Sequence, residues 1–247
     1  MAYHQFAYYY DDLNSEADYD RLAREIKNHL WAHGIQHGIV ADLGCGTGEL
    51  SLRLADYGYD MIGVDASEDM LTVFRDKLTE QGRGDMLLLH QPLEALDLYG
   101  TVRAAVSSFD TLNHLPQKAV RQAIRHVSLF LEPGGLFLFD ANTPYKHRAV
   151  LADAAFEVEG QGGLHCLWRN HFLPEENATE ITIEIWEGEE YLCRETFFEY
   201  VYTLDFWQET LEKNGLKILE ILDGESFSAL SDTSERFWVV AAKEKPE

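Results

Sequence analysis

The stretch Val40–Leu50, VADLGCGTGEL, narrows the folds open to this chain more than any other. An apolar run ends in Asp42 and is followed at once by glycines at 44, 46 and 48. That order reads as a buried strand, a tight turn, and the start of a helix in GELSLRLADYG. Closely spaced glycines in such a turn let backbone approach a bound nucleotide. A chain built around this unit needs further strands beside the first and helices to cover both faces.

The sequence supplies them. DYDRLAREIKNHLWAHG has helical periodicity and stops at Gly34. DMIGVD is a second strand, and SEDMLTVFRDKLTEQG a helix with a serine cap, acid in its first turn and a terminal glycine. DMLLLH and RAAVSSF read as the third and fourth strands. PQKAVRQAIRHVSLFLEPGG follows as a helix with a Pro-Gly-Gly stop, and LFLFDAN as the fifth strand. Apolar strands alternating with helices predict a doubly wound, mostly parallel α/β sheet, covered on both faces.

After Thr143 the rhythm changes. LHCLWRNHF, ATEITIEIWEG and EYLCRETFFEYVY read as three antiparallel strands, with Ile181, Ile183 and Ile185 on one face of the second. A capped helix, TLDFWQETLEKNG, and strands LKILEIL and RFWVVAAK then return to the α/β pattern. The expected organisation is an α/β domain of residues 1–142 and 203–247, with seven strands. An antiparallel insertion, residues 143–202, interrupts it after the fifth strand. Its aromatics, Trp168, Phe172, Trp186, Tyr191, Phe197, Phe198, Tyr200 and Tyr202, divide between burying the sheet and walling a pocket or a dimer surface.

A length of 247 residues suits this plan. Formal net charge is −23, which argues against broad contact with phosphate backbones, so nucleic acid is not the expected partner. No apolar run reaches the roughly 20 residues that cross a bilayer, and MAYHQFAYYYDD carries no secretory pattern. Cys45, Cys166 and Cys193 are odd in number and lack metal-ligand spacing, so they read as reduced thiols of a cytoplasmic protein. HxxxH at 33 and 37 spans Gly34 and cannot present two ligands on one helical face, so no metal is expected.

The glycines do not fit a dinucleotide. Gly-x-Gly-x-x-Gly would place its third glycine at 49, which is Glu49. Asp42, two residues ahead of Gly44, disfavours a pyrophosphate and favours a cationic ligand. Asp65 ends the second strand, 21 residues beyond Gly44, where a carboxylate can accept hydrogen bonds from ribose hydroxyls.

With these residues, VADLGCGTGEL and GVDASEDML resemble the first two motifs of class I S-adenosylmethionine-dependent methyltransferases, and LEPGGLFLFD their fifth-strand motif. The likeness covers nearly the whole chain. It is nearest to small bacterial methyltransferases of unassigned substrate, and more distantly to sugar-amine N,N-dimethyltransferases, which also carry an antiparallel insertion. The resemblance implies a Rossmann-like sheet and S-adenosyl-L-methionine at the carboxyl ends of its strands. It places Asp42 and the Gly44–Gly46 backbone at the methionine part, with Cys45 between the glycines and Ser108 after the fourth strand in the same site. Asp65 would hold the ribose, Ala66, Met70 and Leu93 the adenine, and Tyr10 and Tyr19 would close over the methionyl end. Pro92 stands where relatives carry an acid for the adenine amino group, so that contact must come from elsewhere. His90 could border the adenine.

SSFDTLNHLP follows the fourth strand, and its His114 matches a histidine that resembles a general base in the sugar enzymes. Asp110 and Asn113 share the loop and could orient an acceptor, and His147 could face it. The expected activity is methyl transfer to nitrogen or oxygen of a small molecule, by a monomer or homodimer. A non-catalytic adenosylmethionine-binding protein and a protein or RNA methyltransferase are the alternatives.

Overall fold

In the computed structural model, residues 5–84 and 86–245 are described. The chain runs through helices α1 (Tyr10–Leu13) and α2 (Tyr19–Ala32), then β1 (Gly38–Leu43), α3 (Glu49–Asp56), β2 (Tyr59–Asp65), α4 (Glu68–Glu80) and β3 (Leu87–His90). Next come β4 (Val102–Ser107), α5 (Gln117–Phe130) and β5 (Leu131–Asn142). Strands β6 (Ala155–Glu159), β7 (Leu164–Leu173), β8 (Ala178–Glu187) and β9 (Glu190–Tyr200) precede α6 (Leu204–Glu212), β10 (Leu216–Asp223) and β11 (Arg236–Lys243).

Seven strands form one sheet in the order β10-β11-β5-β4-β1-β2-β3. β1 pairs in parallel with both β2 and β4, while β11 runs antiparallel to β5 and β10. The order reverses between β1 and β4, so the loops leaving those strands part and open a crevice at their carboxyl ends. This is the sheet expected from the strand and helix rhythm.

The helices form where the sequence places caps and apolar stripes. Asp18 accepts the amide of Arg21 and opens α2, whose Leu22, Ala23, Ile26 and Leu30 pack on Val40, Ala104, Leu136 and Trp238. Val120, Ala123, Ile124 and Val127 of α5 and Trp207 of α6 cover the other face. Each such large side chain contributes about 1.5–3 kcal/mol when fully buried. Ser67 caps α4 and Thr203 caps α6, each accepting an amide three residues on. Among the described residues, no helix is long and apolar enough to cross a membrane. All three cysteines are buried free thiols.

Two expectations need correction. The Pro-Gly-Gly segment is not a stop between helix and strand, because β5 begins directly at Leu131. The β4–β5 pairing jumps from Val102–Leu131 to Ala104–Leu136, and the residues between bulge out with Gly134 at φ 81°. A bulge is where a strand can hold a proline. The insertion has four strands, not three, in the order β6-β7-β8-β9. β6, AFEVE, is mostly exposed and buries no alternating apolar face, so periodicity does not reveal it.

Ile181, Ile183 and Ile185 are buried together as their spacing implies. What covers them is the N-terminal segment: Phe6 lies in the same cluster, with Tyr9, Tyr10 and Leu13 packed against it. The Phe6 amide also donates to Glu195 of β9 at 3.0 Å. The insertion and the first residues of the chain therefore form one layer above the crevice.

Candidate active site

Each glycine of the β1–α3 turn has its own reason to be glycine. Gly44, at φ 77°, lies where a Cβ would come within 2.3 Å of Thr111 Cγ2. Gly48, at φ 86°, would drive a Cβ into the Phe74 ring at 2.2 Å. The Gly46 amide donates to Asp65 Oδ2 at 2.8 Å, while the Ser67 amide donates to Oδ1 at 2.8 Å. Asp65 thus ties the β1 and β2 loops together and keeps lone pairs for a ligand. Burial raises its pKa against the pull of those amides.

Asp42 is 1% exposed, and its Oδ2 accepts the Ser51 hydroxyl at 2.6 Å. Its Oδ1 has no partner among the described residues. Burial pushes this carboxyl up to about 7. A buried carboxylate lacking one partner and one counter-charge matches the amino group of a methionyl ligand.

The N-terminal segment is strapped across this turn. Thr47 Oγ1 donates to Asp11 at 2.6 Å, and Lys77 bridges Asp11 and Glu49 at 2.6 Å each. Tyr10 and Tyr19 hydrogen-bond to one another, and burial raises both phenols. The Tyr19 ring lies 4.9 Å from that of Phe109. At the other end of the crevice, Ala66, Met70, His90, Pro92 and Leu93 line the wall together with Glu94. Glu94 Oε2 is buried without a partner among the described residues. Sequence reading overlooks it: the acid sits two residues past Pro92, carried inward by the turn Leu93–Ala95.

The loop after β4 is the strained part. Phe109 and Asp110 both have positive φ, 55° and 49°, which costs a non-glycine residue about 1–3 kcal/mol each. Asp140 of β5 holds them there, accepting the Phe109 amide at 2.9 Å and the Asp110 amide at 2.6 Å. Arg236 of β11 bridges Asp140 at 2.9 Å and Asp110 at 2.7 Å. Against burial, Arg236 holds the Asp110 carboxyl down at about 2. Sequence reading names Asp110 but neither Asp140 nor Arg236.

His114 closes this loop, with Nε2 3.9 Å from Asp110 Oδ2 and its ring 5.2 Å from that of Phe197. Burial lowers its pKa, opposed by Asp110, so the imidazole is kept neutral near pH 7. Asn113 is not placed to orient an acceptor. Its Nδ2 donates to the Tyr200 carbonyl at 2.8 Å and its Oδ1 accepts the Asn142 amide at 2.9 Å, which pins β9 and β5 to the loop. His147 does not face the crevice either; it is buried against Thr179 at 2.9 Å.

Tyr10, Tyr19, Asp42, Gly44, Cys45, Gly46, Asp65, Ser108 and His114 all line one cavity of about 710 Å³. That volume suits a nucleoside-sized ligand. The orphaned oxygens of Asp42 and Glu94, at opposite ends, fit the amino group of a methionyl chain and that of an adenine. Of the insertion aromatics, Phe197, Phe198 and Tyr200 face this cavity, Tyr202 belongs to the main core, and Tyr191 is exposed.

A family model described as a methyltransferase domain matches residues 40–135. A relative named as a methyltransferase in Geobacillus sp. (strain WCH70) is 32% identical over 98% of this chain and 100% of its own length. The chain belongs to the class I S-adenosylmethionine-dependent methyltransferases. A second methyltransferase relative, YqeM of Bacillus subtilis (strain 168), is 30% identical over 99% of this chain and 98% of its own. An S-adenosylmethionine-dependent methyltransferase from Clostridium acetobutylicum superposes with a TM-score of 0.87, at 25% identity and 98% coverage of both chains. The fold extends to the sugar N-methyltransferase KedS8 of Streptoalloteichus, with a TM-score of 0.79, 17% identity, and 99% and 94% coverage.

In a methyltransferase of this class, adenosylmethionine supplies an electrophilic methyl group on a sulfonium. The residues that would hold it are Asp42 and the Gly44–Gly46 backbone, with Asp65 at the ribose. Cys45 is the buried residue between those glycines, and burial raises its thiol, so it contributes packing and not a nucleophile. Asp110, His114 and Glu199 bring one ligand atom each within 4.8 Å of one another. Arg236 already neutralises Asp110, which disfavours a further, divalent cation there.

Proposed function

We propose that the chain transfers a methyl group to a nitrogen or oxygen of a small molecule, with His114 in the wall against which the acceptor is placed. The observation that carries this reading is a half-buried histidine, kept neutral, on the same cavity wall as Phe197, Phe198 and Tyr200. Sulfonium methyl transfer needs in-line placement and a free lone pair more than covalent help. A hydroxyl acceptor, or an amine that arrives as an ammonium, must also lose a proton, and a neutral imidazole can take it. The net charge of −23 weighs against an RNA acceptor. That KedS8 is named a sugar N-methyltransferase adds support for nitrogen. Adenine recognition, in this reading, falls to Glu94 instead of residue 92.

The test is a panel of small amines, alcohols and thiols assayed for adenosylhomocysteine release, with the parent chain and His114→Asn. Turnover of a small acceptor that falls in the variant, with cofactor affinity kept, supports the reading. Turnover confined to RNA or protein would replace it.

A further inference from the structure

Beside the cofactor cavity lies a second, smaller one of about 180 Å³. The two share Tyr10 and Phe109, so they abut at the methionyl end. The smaller cavity is lined by Asp110, Asn142, Lys146, Glu199 and Arg236, a more charged set than its neighbour's. Its polar groups do not balance. Glu199 is 4% exposed, and its Oε2 accepts from Asn142 Nδ2 at 2.8 Å. Asn142 is 2% exposed, and its Oδ1 has no partner among the described residues. Arg236 is committed to Asp110, Asp140 and Glu225. Lys146 is a further cation on this lining, but among the described residues its ammonium makes no hydrogen bond to Glu199 or Asn142, so acceptor atoms remain over that a ligand with several N–H donors would complete.

We infer that this cavity receives the methyl acceptor as an ammonium ion, paired with an ionised Glu199 and donating to Asn142 Oδ1, so that the acceptor is a primary or secondary amine. This rests on the small-molecule reading above and names its substrate class. Burial and the charge of Asp110 push Glu199 up to about 8, so at neutral pH the empty cavity holds it mostly protonated. Binding an ammonium then expels that proton to solvent. Before the nitrogen can react, one N–H bond must break, its electron pair staying on nitrogen while the proton forms an O–H bond on Glu199. A carboxyl near its ordinary value of about 4.3 would hold the ammonium as a salt and refuse the proton. One raised by burial and by Asp110 is a stronger base and lowers the cost of that transfer. The methylated nitrogen keeps its remaining protons as an ammonium, and His114, with a ring nitrogen within 4.8 Å of a Glu199 oxygen, can pass the first proton on.

The experiment is calorimetry on the full chain saturated with adenosylhomocysteine, with ethylammonium, ethanol and acetate as probes. Two buffers of different protonation heat count the protons exchanged. Ethylammonium should bind at pH 7 with release of close to one proton per site, and at pH 9.5 with almost none. Ethanol and acetate should bind about tenfold more weakly or worse. The groups facing Glu199 are Tyr10, Asp110, His114, Lys146 and Arg236. Asp110 and His114 are shifted down, and Tyr10 and Arg236 up, away from that pH window. Lys146→Met excludes the lysine as the source and should keep the proton release.

Glu199→Gln preserves an oxygen for Asn142 but cannot ionise. It should abolish the proton release and weaken ethylammonium about tenfold or more, with adenosylhomocysteine affinity within about twofold. The inference is overturned by preferential acetate binding, by ethylammonium binding without proton release, or by unchanged release in Glu199→Gln. No binding of ethylammonium at about 100 mM, roughly 200 times the Kd of about 0.5 mM that three fully used heavy atoms can reach, also overturns it. Turnover of alcohols alone would remove the inference and leave small-molecule methylation standing. Absence of turnover with every small acceptor would remove that reading itself.

Discussion

Two walls face each other across the crevice, and different forces hold them. The cofactor wall, at the ends of β1 and β2, is fixed by backbone: Gly44 and Gly48 admit no Cβ, and Asp65 gathers amides from both loops. The opposite wall, at the ends of β4 and β9, is fixed by buried side-chain charge. Asp140 and Arg236, which pair across 96 residues of sequence, clamp Phe109 and Asp110 in left-handed conformations. The backbone-built wall is most sensitive to changes of volume at its glycines. The ion-built wall is most sensitive to changes of charge, because a missing counter-charge leaves carboxylates stranded.

The strongest challenge to this contrast is Arg236→Leu. It leaves Asp110 and Asp140 buried without their cation, so stability should fall by about 3–5 kcal/mol, read from the denaturant midpoint. The loss should shrink as pH falls from neutral toward about 2, because carboxyls freed of Arg236 take up protons at higher pH than Asp110 does in the parent. A variant as stable as the parent, with its activity, would show that the clamp is dispensable.

His114→Asn is the next largest. Turnover should drop by roughly 10²–10⁴ with adenosylhomocysteine affinity nearly unchanged. Since burial lowers the His114 pKa, the parent should stay active below the ordinary histidine value of about 6.5 and lose activity only at more acid pH. In the variant that acid limb should flatten, as pH–rate profiles would reveal.

Gly44→Ala probes the other wall. Its Cβ collides with Thr111, and φ 77° strains any L side chain, so calorimetry should show cofactor affinity falling by about tenfold or more. The smallest effect separates Glu94 from Pro92. Glu94→Ala should weaken adenosylhomocysteine about fivefold, the value of one hydrogen bond of about 1 kcal/mol. Pro92→Asp should change it less than about twofold, since Pro92 is exposed and an acid already sits nearby. The opposite ranking would return adenine recognition to position 92.

Legibility follows the same division. The α/β sheet, the turn after β1 and the caps of α4 and α6 lie in contiguous sequence, where period, glycine spacing and serine or threonine placement announce them. The second wall joins residues from β4, β5, β9 and β11, and nothing local marks Asp140, Glu199 or Arg236 as partners. Glu94 escapes because a short turn carries it inward, past the position where an acid is sought. β6 escapes because an exposed edge strand need not alternate. Local sequence does not apportion the insertion aromatics, because which of them face a cavity depends on distant packing, the N-terminal segment included.

The clamp at Arg236 also sets a timetable. A polypeptide leaving the ribosome N-terminus first has β1, α3 and β2 available early, and with them the whole glycine turn. Phe109 and Asp110 gain their arginine only when β11 slots between β10 and β5, after almost every other element has emerged. A chain stopped before β11 therefore lacks the cation that holds Phe109 and Asp110, and that loop is left without its clamp.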